Sequence, residues 1–267
     1  MPTVSGFACP ASVFALGRAI VALASLLAMP VMAEPTAVTV RVISQDAKFV
    51  GDHTGGAEVI LREAESGREL ARGRTTGGTG DTARIMQATG RSPQRAGPEA
   101  AAFAASIDLT RPTLVELEVR GPLGRPASAV RITAQRWMMP GEPVTAGDGW
   151  VVELPGLAIT PALTVAADGL RVTARVEPHC GCPIAPDSLW PAADYAVSAS
   201  LWAGNRRLGQ VPLAFTAAPG EFSGRLPAPS GGADELVVFA RNRMTGATGL
   251  ARLPLPLNRP GARTSAQ

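Results

Sequence analysis

Hydrophobic residues along this chain recur with a period of two. Val38, Val40 and Val42 alternate with Thr39 and Arg41, and Val115, Leu117 and Val119 alternate with Glu116, Glu118 and Arg120. Val172, Ala174 and Val176 alternate with Arg171, Thr173 and Arg175, and Tyr195, Val197, Ala199 and Leu201 share one side of a further run. Successive side chains of a strand point to opposite faces, so each pattern predicts a half-buried antiparallel strand. The more continuous apolar stretch from Leu236 to Ala240 predicts a central strand. Turn pairs separate these runs: Ser66-Gly67, Asp168-Gly169, Gly204-Asn205, Pro219-Gly220 and Thr245-Gly246. No stretch carries a convincing helical period. Residues 99–105 are alanine-rich and fit a helical turn, but Phe103 to Ile107 reads equally well as the start of a strand.

The pattern predicts an all-β chain of two antiparallel sandwiches in tandem, over residues 36–155 and 157–256. Leu154-Pro155-Gly156 and Thr160-Pro161 mark the expected join, because proline removes a ladder donor. Within the first sandwich, residues 75–98 form a long insert with a glycine cluster, Gly77-Gly78-Thr79-Gly80-Asp81, and the arginines Arg84, Arg91 and Arg95. The cluster lacks the Gly-Lys-Ser/Thr ending of a phosphate loop, so the insert reads as a wide hairpin loop offering Asp81 and Arg84 to a partner. The polar tail over 258–267 is expected to be disordered.

Residues 1–33 read as a secretory signal. Arg18 precedes an apolar run from Ala19 to Met32, and Val31-Met32-Ala33 supplies a cleavage site. The run is short for a spanning helix, and no second one follows, which predicts a periplasmic protein with no transmembrane segment in the mature chain. Removing 33 of the 267 residues leaves 234, enough for two domains with separate cores. The net charge of +3 comes from arginines interspersed with acids, and Lys48 is the single lysine. Without a basic stripe or aromatic platforms, nucleic-acid binding is excluded as a reading. Trp137, Trp150, Trp190 and Trp202 are expected to plug the cores or their junction, and Met138-Met139 to pack beside Trp137.

Two resemblances follow from particular segments. Gly56-Ala57-Glu58-Val59-Ile60-Leu61-Arg62, with Ser66-Gly67-Arg68-Glu69-Leu70-Ala71 and the Gly/Thr-rich turn after it, resembles transthyretin-like or carboxypeptidase-regulatory-type sandwich modules. Tyr195-Ala196-Val197, Val211-Pro212-Leu213 and Leu236 to Ala240 leading to Thr245-Gly246-Ala247-Thr248-Gly249 resemble bacterial Ig-like domains. The resemblance implies binding or spacer modules, and fold analogy alone does not assign a function.

The chemistry is concentrated in His179-Cys180-Gly181-Cys182, which holds both cysteines of the expected mature chain. In an extended strand, residues i and i+2 lie about 6.5–7 Å apart, at the edge of disulfide reach. Pro178 and Pro183 bracket the pair and Gly181 divides it, so a turn that brings the sulfurs together is expected. An oxidising destination favours a Cys180–Cys182 disulfide that clips a loop. The same thiols with His179 suit Cu(I), a soft cation, and that is the alternative reading. A redox-active pair is a third one, although neither a helix N-terminus nor a thioredoxin-like pattern accompanies it. With two histidines in all and no nucleophile elbow or metalloprotease motif, catalysis is not expected. The expected function is therefore partner binding by an exported, non-enzymatic protein, through the loops 75–98 and 178–190, with Asp81, Arg84 and Trp190 as contact candidates and no cofactor.

Overall fold

The computed structural model describes residues 2, 3, 6, 32–166, 169–228 and 232–255. Most of the expected signal, the Asp168 half of one turn, and the 258–267 tail lie outside the described residues. The protein is all-β. Its strands are β1 (Glu34–Ser44), β2 (Glu58–Glu63), β3 (Glu69–Arg74), β4 (Phe103–Leu109), β5 (Thr113–Gly121), β6 (Val130–Met138), β7 (Trp150–Leu154), β8 (Leu157–Ala166) and β9 (Gly169–Pro178). Then come β10 (Tyr195–Ala203), β11 (Arg206–Phe215), β12 (Glu221–Leu226), β13 (Glu235–Asn242) and β14 (Thr248–Pro254).

Residues before Leu157 form a four-stranded antiparallel sheet, β3-β2-β5-β6, and a three-stranded sheet, β4-β1-β7. The alternating valines of β1 and β5 face each other across one core with Val59, Leu61, Ile107, Leu109, Trp150 and Leu154. Such a two-layer arrangement buries one face of each sheet. One pairing departs from the antiparallel expectation: β1 and β7 run parallel, with Val40 opposite Trp150 and Ser44 opposite Leu154. Parallel neighbours need a long crossover, and the whole of β2 to β6 supplies it.

The later residues form a single antiparallel sheet of seven strands, β14-β13-β10-β11-β12-β9-β8. It curls until its two edges meet, with Gly249 of β14 packed against the Leu157 carbonyl of β8. A second core lies inside the curl, built from Val172, Ala174, Val176, Val197, Leu201, Phe222, Leu236 and Val238. Pro161 does not interrupt pairing as expected; it lies within β8, opposite Ala174, on an edge strand where a missing N–H is tolerated. Residues 236–240 are not buried on both faces either. Leu236, Val238 and Ala240 point inward while Phe239 stays 38% exposed on the outer face.

The insert 75–98 is ordered rather than a plain hairpin loop. It contains α1 (Thr82–Met86), too short to show a helical period, capped at its start by Asp81, whose carboxylate accepts from the Arg84 N–H at 2.6 Å. Ile85 packs with Ile43, Phe49, Ala100 and Ala101 in a small third cluster. The Asp148 carboxylate accepts from the N–H groups of Arg95 and Ala96, fixing the far end. Residues 103–109 take the strand alternative of the two expected. Trp150 and Trp190 are buried, but Trp137 is 67% exposed on the edge strand β6 and Met139 is also exposed, so of that trio only Met138 plugs a core.

Among the described residues no helix is long and apolar enough to cross a membrane.

Candidate functional site

Strand β9 ends at Pro178, and the chain turns at once. The Gly181 N–H donates to the Pro178 carbonyl at 2.8 Å, and Gly181 takes φ +79°, a left-handed conformation costly for other residues. The turn brings the Cα atoms of Cys180 and Cys182 to 5.5 Å and their sulfurs to bonding distance. That separation is in the middle of the range for a disulfide. Proline and glycine thus do here what the sequence suggested, and the two sulfur atoms act as one unit.

The position of that unit is less exposed than its loop character implies. Residues 176 to 182 are all buried. They lie on the seam where the chain's earlier and later residues meet, and the first half grips them through side-chain hydroxyls. Ser44 Oγ accepts from the His179 N–H at 3.0 Å, and Thr54 Oγ1 donates to the His179 carbonyl at 2.9 Å. Both backbone groups of His179 are therefore satisfied by hydroxyl side chains more than a hundred residues earlier in the chain. Further along the seam, Gln45 Oε1 accepts from the Gly156 N–H and the Arg125 guanidinium meets the buried Glu177 carboxylate at 2.7 Å. Ala47, from the first half, joins the second core beside Cys180 and Cys182.

His179 is held by the seam through its ring as well. Its Nε2 lies 2.9 Å from the Pro155 carbonyl, which can only accept, so Nε2 carries the proton. Nδ1 is then a bare acceptor, buried with no hydrogen-bond partner. Burial pushes the imidazole below the usual histidine range, against the opposing pull of the Pro155 carbonyl and the Glu177 charge. A neutral ring committed to Pro155 is a structural part of the seam.

A second imidazole, that of His53, packs on the turn between the cysteines. It follows Asp52 in a short 3-10 turn (Asp52–Thr54), and its ring packs so closely on Gly181 that a Cβ there would overlap it. In the sequence His53 is one of two histidines, and nothing in its neighbourhood announces a partner 128 positions away. Together with Lys48, Thr79, Thr82, Pro183 and Trp190, it lines an open cleft of about 530 Å³ floored by Cys180, Gly181 and Cys182. Lys48 reaches across the insert, donating to the Gly80 carbonyl and to Thr82 Oγ1. Sequence reasoning singled out neither Lys48 nor the threonines, although a lone lysine in a chain that otherwise uses arginine was a usable signal.

The contact candidates fall in different places. Trp190 forms one wall of the cleft; it is 8% exposed, and its indole N–H donates to the Asp46 carbonyl across the seam at 3.0 Å. Asp81 is exposed but engaged as the cap of α1. The Arg84 Nε donates to the Gln94 carbonyl, holding the insert together. These two stabilise the loop that borders the cleft and are not among its lining residues. The loops 75–98 and 178–190 thus contribute to one feature, the first through Thr79 and Thr82, the second through Cys180 to Pro183 and Trp190.

Among the described residues no group of three or more His, Cys, Asp or Glu side chains is placed to hold a metal ion. Pro155 engages the Nε2 of His179 and leaves Nδ1 unpaired. No family model matches the chain, and comparison with curated proteins finds no relative.

Proposed function

We propose that the protein is an exported, periplasmic binding protein without catalytic activity, and that its site is the cleft between the insert and the Cys180–Cys182 turn. The observation that carries this reading is convergence. Two loops separated by some hundred residues line one concavity whose floor is clamped by Ser44 and Thr54 and closed by a disulfide. Preformed concave sites with a few polar groups among apolar walls are where ligands bind, and rigid loops lose less entropy on binding than mobile ones. The disulfide serves as a clip for the cleft floor. In a Gram-negative envelope it stays oxidised, and the surrounding β-sheets act as a rigid frame that presents the cleft to a partner protein.

The test is partner capture from the native envelope with a cleft-filling variant. Thr79 lends its carbonyl to the Phe49 N–H, and its side chain lines the cleft, so Thr79→Trp fills the space and keeps the backbone bond. Cross-linked partners are expected to disappear in Thr79→Trp while its melting temperature stays near the native value. Partners retained in a folded Thr79→Trp protein would rule the cleft out.

One observation favours a second reading. If the disulfide is reduced, Cys180 and Cys182 offer two thiolates from one tight turn, with their Cα atoms 5.5 Å apart, a soft donor pair that suits Cu(I). The anaerobically reduced protein would then bind one copper, lost in Cys182→Ser; absence of stoichiometric copper removes this alternative. Thiol–disulfide exchange draws less support, because both sulfurs are almost fully buried and no helix N-terminus stabilises a thiolate there.

A further inference from the structure

Among the residues that line the cleft the charges are one-sided, although Asp46, Asp52 and Asp81 adjoin them. Its lining carries one permanent cation, Lys48, and an imidazole, His53, with the hydroxyl-bearing Thr79 and Thr82, and it includes no carboxylate. The Lys48 ammonium has three N–H donors. Two go to neutral acceptors, the Gly80 carbonyl at 3.2 Å and Thr82 Oγ1 at 3.0 Å, so neither contact neutralises it. These contacts also hold the ammonium in one place, which removes much of the entropy cost a free lysine pays on forming an ion pair. The rest of the lining, Trp190, Pro183 and the disulfide with Gly181, is largely apolar.

An anionic head and an apolar body are what this lining complements. The cleft volume, about 530 Å³, falls within the range of drug-sized ligand sites, too small for a folded surface and sufficient for the end of an extended chain. Capture of a terminal carboxylate is one of the recurring modes of peptide recognition. We infer that the cleft receives the C-terminal carboxylate of a partner polypeptide, with Lys48 pairing the carboxylate and the last side chain lying against Trp190 and the disulfide. This rests on the binding reading above and goes further by naming what enters the site.

Titration calorimetry on the full mature protein tests it, with N-acetylated tripeptides ending in Phe, Leu or Ala, each as free acid and as C-terminal amide, and with 3-phenylpropionate as a small acid. The free acid of at least one apolar-ended peptide is expected to bind about 10–100-fold more tightly than its amide, the range a charge-assisted hydrogen bond contributes. Lys48→Met is expected to abolish that preference, and Lys48→Arg to retain part of it. Melting curves of both variants establish that they fold. The inference is overturned if amides bind as well as acids, if Lys48→Met keeps the preference, if 3-phenylpropionate binds as tightly as the best tripeptide, or if none of the probes binds. Should the Thr79→Trp variant lose its envelope partner while the acid preference is absent, the carboxylate assignment falls and the cleft stands.

Discussion

The Thr54 hydroxyl donates a hydrogen bond to the His179 carbonyl at 2.9 Å, joining residues 125 positions apart. Thr54 is fully buried and its partner nearly so. An unpaired buried carbonyl costs about 1–3 kcal/mol, so the contact has a measurable consequence. Thr54→Val keeps the shape and removes the donor; it is expected to destabilise the protein by about 1–3 kcal/mol in urea unfolding with an unchanged m-value. Ser44→Ala, which strands the His179 N–H instead, is expected to cost a similar amount. An effect below about 0.3 kcal/mol in both would mean that water replaces the hydroxyls and that the seam is wet.

A second seam contact makes a ranked prediction. The Glu177 carboxylate is 2% exposed and sits between Arg125 at 2.7 Å and Arg175 at 3.0 Å. The two arginines are not equivalent: the Arg125 side chain is 25% exposed and that of Arg175 is 53% exposed. A buried carboxylate that loses its better-buried partner loses most of its compensation, whereas a half-exposed partner is screened by water. Arg125→Met is expected to cost about 2–3 kcal/mol after discounting for partial exposure, and Arg175→Met less than about 1 kcal/mol. Equal losses in denaturant melts would contradict the ranking.

Local pattern and long-range chemistry differed in how far they could be read. The period-two runs at Val38 to Val42 and Val115 to Val119 became β1 and β5 because alternation reports directly which face is buried. Ser66-Gly67 and Thr245-Gly246 became hairpins because the residues at the turn are chosen by local backbone geometry. The Cys180 to Cys182 turn was legible for the same reason, since Pro178 and Gly181 act locally. The parallel pairing of β1 with β7 was not, because strand direction depends on partners far along the chain. Ser44, Thr54 and His53 carry no periodic signal, and their roles exist only once residues 179–181 arrive beside them. Trp137 shows the opposite failure. Hydrophobicity alone placed it inside, but β6 is an edge strand whose outer face has no covering layer.

The buried His179 ring predicts a pH dependence with a definite sign. Its neutral form donates through Nε2 to Pro155, and an added proton on Nδ1 would find no acceptor. Burial therefore holds its pKa below the usual value near 6.5. The unfolded chain takes up this proton first, so the stability contribution is complete above about pH 6.5 and falls as the pH drops below it. The slope from this one group is at most ~1.4 kcal/mol per pH unit. Urea unfolding from pH 7.5 to 5 is expected to show that decline, and His179→Gln, which can still donate to Pro155, is expected to lower its slope. A profile whose slope is the same in wild type and His179→Gln would mean that the ring takes up its proton equally readily in the folded and unfolded chain.

The turn at Gly181 ties the disulfide to the cleft, and the two contributions can be separated. Its φ of +79° costs a non-glycine residue about 1–2 kcal/mol, and a methyl group there would also collide with the His53 ring. The ring closed by Cys180 and Cys182 spans three residues, so the disulfide itself restrains little of the unfolded chain and contributes less than the ~3 kcal/mol of a 15-residue loop. Gly181→Ala is therefore expected to be at least as destabilising as the double replacement Cys180→Ser with Cys182→Ser, an order unusual for a glycine against a disulfide. Thermal melts of both proteins check it, with mass spectrometry confirming that reduction of the wild type adds two hydrogen atoms. If the double serine variant loses far more stability than Gly181→Ala, the sulfurs are holding the seam rather than only the turn, and the clamp assigned to Ser44 and Thr54 is the weaker of the two.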